Sequence, residues 1–163
     1  MVESHSLLGG ITSIIEPDVY TAGRASLLQL AKDHNLVLNP DALAEVLPFW
    51  NIPYNALSII SNRVTPLHRD MFGRSEWMDF LVALGQYSDG RIDIPGLGLR
   101  FRYDPGCVVA FSGKLLRHGV TCPGDRGCIA YYMRDTVQER LGQQVGGWQC
   151  ISDFGLSIEV LHE

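Results

Sequence analysis

The stretch Ser61-Asn62-Arg63-Val64-Thr65-Pro66-Leu67-His68-Arg69-Asp70 ends in a His-x-Asp pair, and Arg117-His118-Gly119-Val120 later supplies a distant second histidine. Residues two apart on an extended strand share a face, so His68 and Asp70 present an imidazole and a carboxylate together. Two imidazoles and one carboxylate in this pattern match the facial set that holds non-heme Fe(II) and leaves coordination positions open. Arg126 then stands at the head of the apolar run 127–133. A guanidinium there can grip a carboxylate through two parallel hydrogen bonds, such as the far carboxylate of 2-oxoglutarate.

Around these residues the chain reads as short strands separated by turn chemistry. Ala56–Ser61 is rich in β-branched residues and feeds the His68 segment. The run 77–87 is long and apolar, Asp89-Gly90 turns it into 91–94, and Pro95-Gly96-Leu97-Gly98 turns again into an alternating 99–103. Asp104-Pro105-Gly106 leads to 107–111, Ser112-Gly113 to 115–120, and Pro123-Gly124-Asp125 to 126–133. Such spacing predicts an antiparallel jelly roll, a double-stranded β-helix over residues 54–141.

The helical signals come earlier. Tyr20, Ala22, Leu27, Leu28, Leu30 and Ala31 suit an amphipathic helix, and Asn39-Pro40-Asp41 starts a second, short one. Residues 18–48 are therefore expected to form a helical layer outside the sheets. Residues 1–16 carry no strong pattern and are expected to be a mobile arm. The whole, 1–163, reads as one domain with an all-β core and flanking helices.

Composition narrows the class. A content of 46% hydrophobic and 19% charged residues is ordinary for a globular core. The four cysteines, Cys107, Cys122, Cys128 and Cys150, form no C-x-x-C pair, which suggests neither a zinc knuckle nor a disulfide framework and fits a reducing, intracellular compartment. No apolar run approaches the roughly 20 residues of a membrane span. The net charge of -5 opposes simple electrostatic attraction to nucleic acid. Its distribution softens this: up to Asn62 the only basic side chains are Arg24 and Lys32, whereas most arginines lie within 63–140. Phosphate contacts would then come from a local patch.

With ligands and strands placed, the segment 61–70, together with Arg-His-Gly-Val, Gly-Asp-Arg and Ala-Tyr-Tyr-Met-Arg-Asp, resembles the TET/JBP family of Fe(II)- and 2-oxoglutarate-dependent nucleobase dioxygenases, particularly its small fungal branch. The resemblance covers about residues 54–141. It implies that His68, Asp70 and His118 ligate iron, that Arg126 grips 2-oxoglutarate, and that O2 is the oxidant. Cys128 stands where animal relatives carry a serine beside the co-substrate. Tyr132 keeps an aromatic of the base pocket, Arg134 replaces a histidine there, and Gly73 replaces a polar group that reads the base, which implies a roomier pocket. The implied function is oxidation of a methyl group on a flipped base in duplex DNA, foremost 5-methylcytosine to its hydroxymethyl, formyl and carboxyl forms. N6-methyladenine is the second candidate, given Gly73 and Asp79. An oxygenase acting on a small molecule or a protein, and a DNA-binding module without turnover, are the rival classes. A nuclear, monomeric protein is expected.

Several residues carry two readings. Asp79 lies among Trp77, Met78, Phe80 and Leu81 and is either an acceptor that reads an exocyclic amine or half of a structural salt bridge. Asn62 either donates to 2-oxoglutarate or serves the turn. Arg100 and Arg102 alternate with apolar residues and read as a solvated face sooner than as phosphate ligands. For Phe72 and Trp77, core packing is the default and base stacking the alternative.

Overall fold

The computed structural model describes residues 2–63 and 65–149. Eight strands form two four-stranded sheets in which every pairing is antiparallel. They are β1 (Ala56–Ser61), β2 (Thr65–His68), β3 (Asp79–Gln86), β4 (Arg91–Ile94), β5 (Leu99–Arg102), β6 (Val108–Phe111), β7 (His118–Thr121) and β8 (Asp125–Tyr132). One sheet runs β1-β8-β3-β6 and the other β2-β7-β4-β5. This is the double-stranded β-helix that the strand and turn pattern predicts, flanked by helices.

Strand alternation explains the layering. On β3, Leu81 and Ala83, with Phe111 of β6, face inward and pack with Ile92, Ile94, Tyr103 and Val120, while Phe80 and Val82 face outward onto the helices. On β8, Ile129 and Tyr131 join that outer core. The strand's other face, carrying Arg126, Cys128, Ala130 and Tyr132, is turned inward. Gly85 between β3 and β8 has φ +122, and a Cβ there would lie 2.1 Å from the Asp125 carbonyl oxygen, so the close pairing of the strands requires glycine.

The outer core is roofed by helices α1 (Val2–Ile15) and α2 (Pro17–Lys32), and α3 (Pro40–Val46) and α4 (Asp135–Arg140) pack against α2. Helix α2 opens on Pro17, and the Asn39 side chain caps α3 by accepting from the Ala42 N–H at 3.1 Å. The expected mobile arm is corrected here: residues 2–15 form α1, with His5, Leu8, Gly9 and Thr12 buried. Its polar residues hid the pattern because they are satisfied inside. His5 Nδ1 donates to the Phe49 carbonyl at 2.8 Å, which leaves Nε2 to accept from the Tyr131 hydroxyl at 3.0 Å. Gly9, which reads as a helix breaker, lets the helix lie against the Asn51 carbonyl; a Cβ would stand 2.3 Å from that oxygen. Helix α4 was not expected from the sequence. No described helix is long and apolar enough to cross a membrane. Cys107, Cys122 and Cys128 are free thiols, and Cys150 lies outside the described residues.

Candidate metal centre

β2 and β7 pair so that His68 and His118 are direct partners across the ladder, their ring centroids 4.3 Å apart. Asp70 follows β2 and reaches both rings: its Oδ1 lies 3.4 Å from His68 Nε2 and its Oδ2 3.9 Å from His118 Nε2. One donor atom from each residue lies within 4.8 Å of the other two. The tautomers suit ligation. His68 Nδ1 donates to the Pro66 carbonyl at 2.9 Å and His118 Nδ1 to the Leu116 carbonyl at 3.0 Å, which turns each Nε2 toward Asp70 and leaves it as the atom to meet a metal. Burial lowers the His118 pKa, which favours the neutral imidazole a metal needs. The donor set, two imidazole nitrogens and a carboxylate on one side, fits Fe(II).

Gly113 makes this arrangement possible, a residue that sequence reasoning took only for part of a turn. Its carbonyl accepts from the Asp70 N–H at 3.0 Å, and a Cβ would lie 2.2 Å from Asp70 Oδ2 and 3.0 Å from Asp79 Oδ2. Any side chain there would displace both carboxylates.

The triad opens on a cavity of about 270 Å³ whose lining includes His68, Asp70, Phe72, Asp79, Tyr132 and Arg134. Asp79 is pushed from 3.8 up to about 7, first by burial and then by the charge of Asp70, with a backbone hydrogen bond from Gly113 pulling the other way. Of its two readings, the salt bridge has no partner among the described residues. At the mouth, the Arg134 guanidinium lies over Phe72 at 5.5 Å and Tyr132 at 5.6 Å. The Tyr132 hydroxyl is 3.1 Å from Ser58 Oγ. Trp77 is buried in the outer core, so its default reading holds, whereas Phe72 is exposed at the cavity.

Arg126 lines a neighbouring cavity of about 280 Å³ with Asn62, Arg63, Thr121 and Cys122. It is buried, its Nη1 donates to the Arg63 carbonyl at 3.3 Å, and its Nε has no partner. A buried guanidinium with an open donor is suited to an anion. Asn62 takes the turn role: at φ +48 its Oδ1 accepts from the Arg126 N–H at 2.8 Å, so it fixes the arginine's backbone.

Two expected site residues sit apart from these cavities. Cys128 is buried beside the Tyr103 hydroxyl at 3.6 Å and lines neither one. Gly73 also lines neither, and its φ of +86 is the backbone reason for glycine at that position. Arg100 and Arg102 are held in ion pairs by Asp93 and Asp104 on an exposed edge strand, in keeping with a solvated face.

Comparisons with known proteins add to this geometry. The family model Tet_JBP, described as the oxygenase domain of the 2OGFeDO superfamily, matches residues 1–135. No curated protein matches. Among solved structures, NgTET1 in complex with 5mC DNA is similar at 16% identity and a TM-score of 0.49. That similarity covers 68% of this chain and 44% of that one, so the chain spans less than half the length of that protein.

Proposed function

Because the chain belongs to the Tet_JBP oxygenase domain family of the 2OGFeDO superfamily, whose members use Fe(II), 2-oxoglutarate and O2, we propose that it oxidises the methyl group of a modified base in DNA, foremost 5-methylcytosine. The observation that carries the reading is the convergence of one donor atom each from His68, Asp70 and His118 within 4.8 Å, beside a cavity that His68 and Asp70 line. With Fe(II) bound, O2 and 2-oxoglutarate would be converted to CO2 and succinate while one methyl C–H bond of the substrate becomes C–OH.

The chain's own part is placement. His68, Asp70 and His118 would hold the metal on one side and leave its other positions to ligands. Arg126 would bind the far carboxylate of 2-oxoglutarate through its open donors. Tyr132 and Arg134, with Phe72, form a stacking rim that a planar base can enter once it leaves the duplex. Asp79 lies inside the same cavity, where its carboxyl can accept from an exocyclic amine or, when protonated, donate. Because adenine also carries such an amine, Asp79 is the observation that favours N6-methyladenine as the second reading. Successive turnovers on 5-methylcytosine would give the hydroxymethyl, formyl and carboxyl forms. A DNA substrate places the working compartment in the nucleus.

The test is mass spectrometry of nucleosides from duplexes carrying 5-methylcytosine or N6-methyladenine, incubated with the protein, Fe(II), 2-oxoglutarate and ascorbate beside a His68→Ala control. Loss of one methylated base only with the parent names the substrate. Succinate formation with both bases intact would leave the oxygenase chemistry standing and move the substrate to a small molecule or a protein.

A further inference from the structure

We propose that Met71 is an unstacking wedge for duplex DNA, entering the gap that a base leaves in the stack when it rotates into the cavity of the triad. The inference rests on the functional reading above and goes beyond it to a residue that the motifs leave unassigned. Met71 directly follows Asp70, lines the cavity of the triad and is 76% exposed. Its neighbour Phe72 lines the same cavity and is 63% exposed. Two large apolar side chains are thus held in solvent at the entrance to the chemistry, where a partner that feeds the cavity would cover them.

The backbone holds this tip from both sides. Before it, the Asp70 N–H donates to the Gly113 carbonyl at 3.0 Å, and Lys114 Nζ donates to the Met71 carbonyl at 2.6 Å. After it, Gly73 turns the chain at φ +86, and Arg74 lies over the Trp77 ring at 5.2 Å and pairs with Glu139 at 3.4 Å. The two apolar side chains have different settings. Phe72 is engaged by the Arg134 guanidinium at 5.5 Å and belongs to the rim that receives the base. Met71 has no part in that stack. An unbranched thioether adapts its shape and makes favourable contacts with aromatic rings, and an apolar side chain inserted at a base step holds the step open.

Charge identifies the partner. Arg69 and Arg117 are exposed, and because His68 and His118 are ladder partners, the arginine after the first and the arginine before the second stand at the same end of β2 and β7. Among the described residues neither is in an ion pair, and neither is Lys114 or Arg134. The arginines of β4 and β5, Arg91, Arg100 and Arg102, are each paired with an aspartate. Uncompensated cations therefore gather around the exposed tip although the net charge of the chain is -5. A duplex answers both features, with phosphates for the cations and base faces for the thioether. An apolar protein surface would cover Met71 and leave the cations unanswered.

The test titrates the chain, loaded with Mn(II) and 2-oxoglutarate, into duplexes carrying 5-methylcytosine or N6-methyladenine beside 2-aminopurine, whose fluorescence rises when it unstacks. The same methylated strands are titrated unpaired. With the duplex that the parent opens, Met71→Ala should raise the Kd about tenfold and abolish the fluorescence rise, while Met71→Leu keeps most of both. Affinity for the unpaired strand should not change, because there the base need not be drawn out of a duplex. Equal thermal midpoints of parent and variants confirm that an exposed side chain is all that is altered. Duplex affinity and fluorescence unchanged in Met71→Ala would overturn the proposal, as would a parent that binds duplex without the fluorescence rise. Equal weakening on duplex and single strand would also overturn it and make Met71 a contact of the base itself. If the parent binds neither duplex, the functional reading falls first, this inference falls with it, and the tip is left to a protein partner.

Discussion

A large apolar cavity among the described residues and the smaller one that carries chemistry are different places. Between α2, α3 and α4 lies an apolar groove of about 550 Å³, lined by leucines and valines with Arg140 as its charged residue. The strand-lined cavity of the triad has about half that volume, 270 Å³, yet it gathers His68, Asp70, Asp79, Arg63 and Arg134. The groove is what remains where short amphipathic helices meet over a sheet. The smaller cavity exists because paired strands fix donors on facing backbones. Convergence of polar groups on a rigid frame, and not size, marks the site.

The contrast predicts separable effects. Asp70→Ala should have the largest, because it removes the one carboxylate that, among the described residues, pairs with both imidazoles: metal affinity should fall at least about a hundredfold while the thermal midpoint of the metal-free chain barely moves. Metal titration beside thermal melting reads both numbers. Leu27→Ala should do the reverse. Leu27 is buried where the helices meet, and its loss should cost about 2–4 kcal/mol of stability with metal affinity of the folded chain unchanged. A shift in metal affinity with Leu27→Ala would break the separation of the two regions. Arg126→Met should weaken 2-oxoglutarate binding by about 1.5–3 kcal/mol in calorimetry, the worth of a charge-assisted hydrogen-bonded pair.

The smallest effect concerns the seam between the regions. Glu16, at the α1–α2 junction, is buried and accepts from the Met78 N–H at 3.1 and 3.2 Å, just before β3. Burial pushes its pKa from 4.5 up to about 7, against the Met78 hydrogen bond. The folded state therefore binds this proton more tightly than the unfolded chain. Its contribution to stability is full below pH 4.5 and is lost as pH rises to about 7. Glu16→Gln keeps an acceptor for Met78 and removes the titration, so the decline in denaturant midpoint over that window should become shallower. An unchanged slope would mean that Glu16 is ionised in the folded protein.

The same contrast explains what was legible in the sequence. β1 is read to its ends, because β-branched residues bounded by turns have one use. The triad is read from two short motifs because its donors need only strand spacing and one ladder pairing. Helix α1 is missed because its packing depends on buried polar groups, and hydrophobic periodicity does not register a satisfied His5 or Thr12. Gly113 is missed for another reason: it matters through a side chain it lacks. Cys128 and Gly73 are placed by resemblance of position; in the structure Cys128 lies beside the Tyr103 hydroxyl and Gly73 holds a φ of +86.

The central claim is that His68, Asp70 and His118 form one iron site that 2-oxoglutarate completes. Its most direct test is anaerobic equilibrium titration of Fe(II) into the chain, with and without 2-oxoglutarate. The account predicts one Fe(II) per chain, bound more tightly when 2-oxoglutarate is present and lost in Asp70→Ala. Stoichiometric Fe(II) binding that survives Asp70→Ala and ignores 2-oxoglutarate would contradict it.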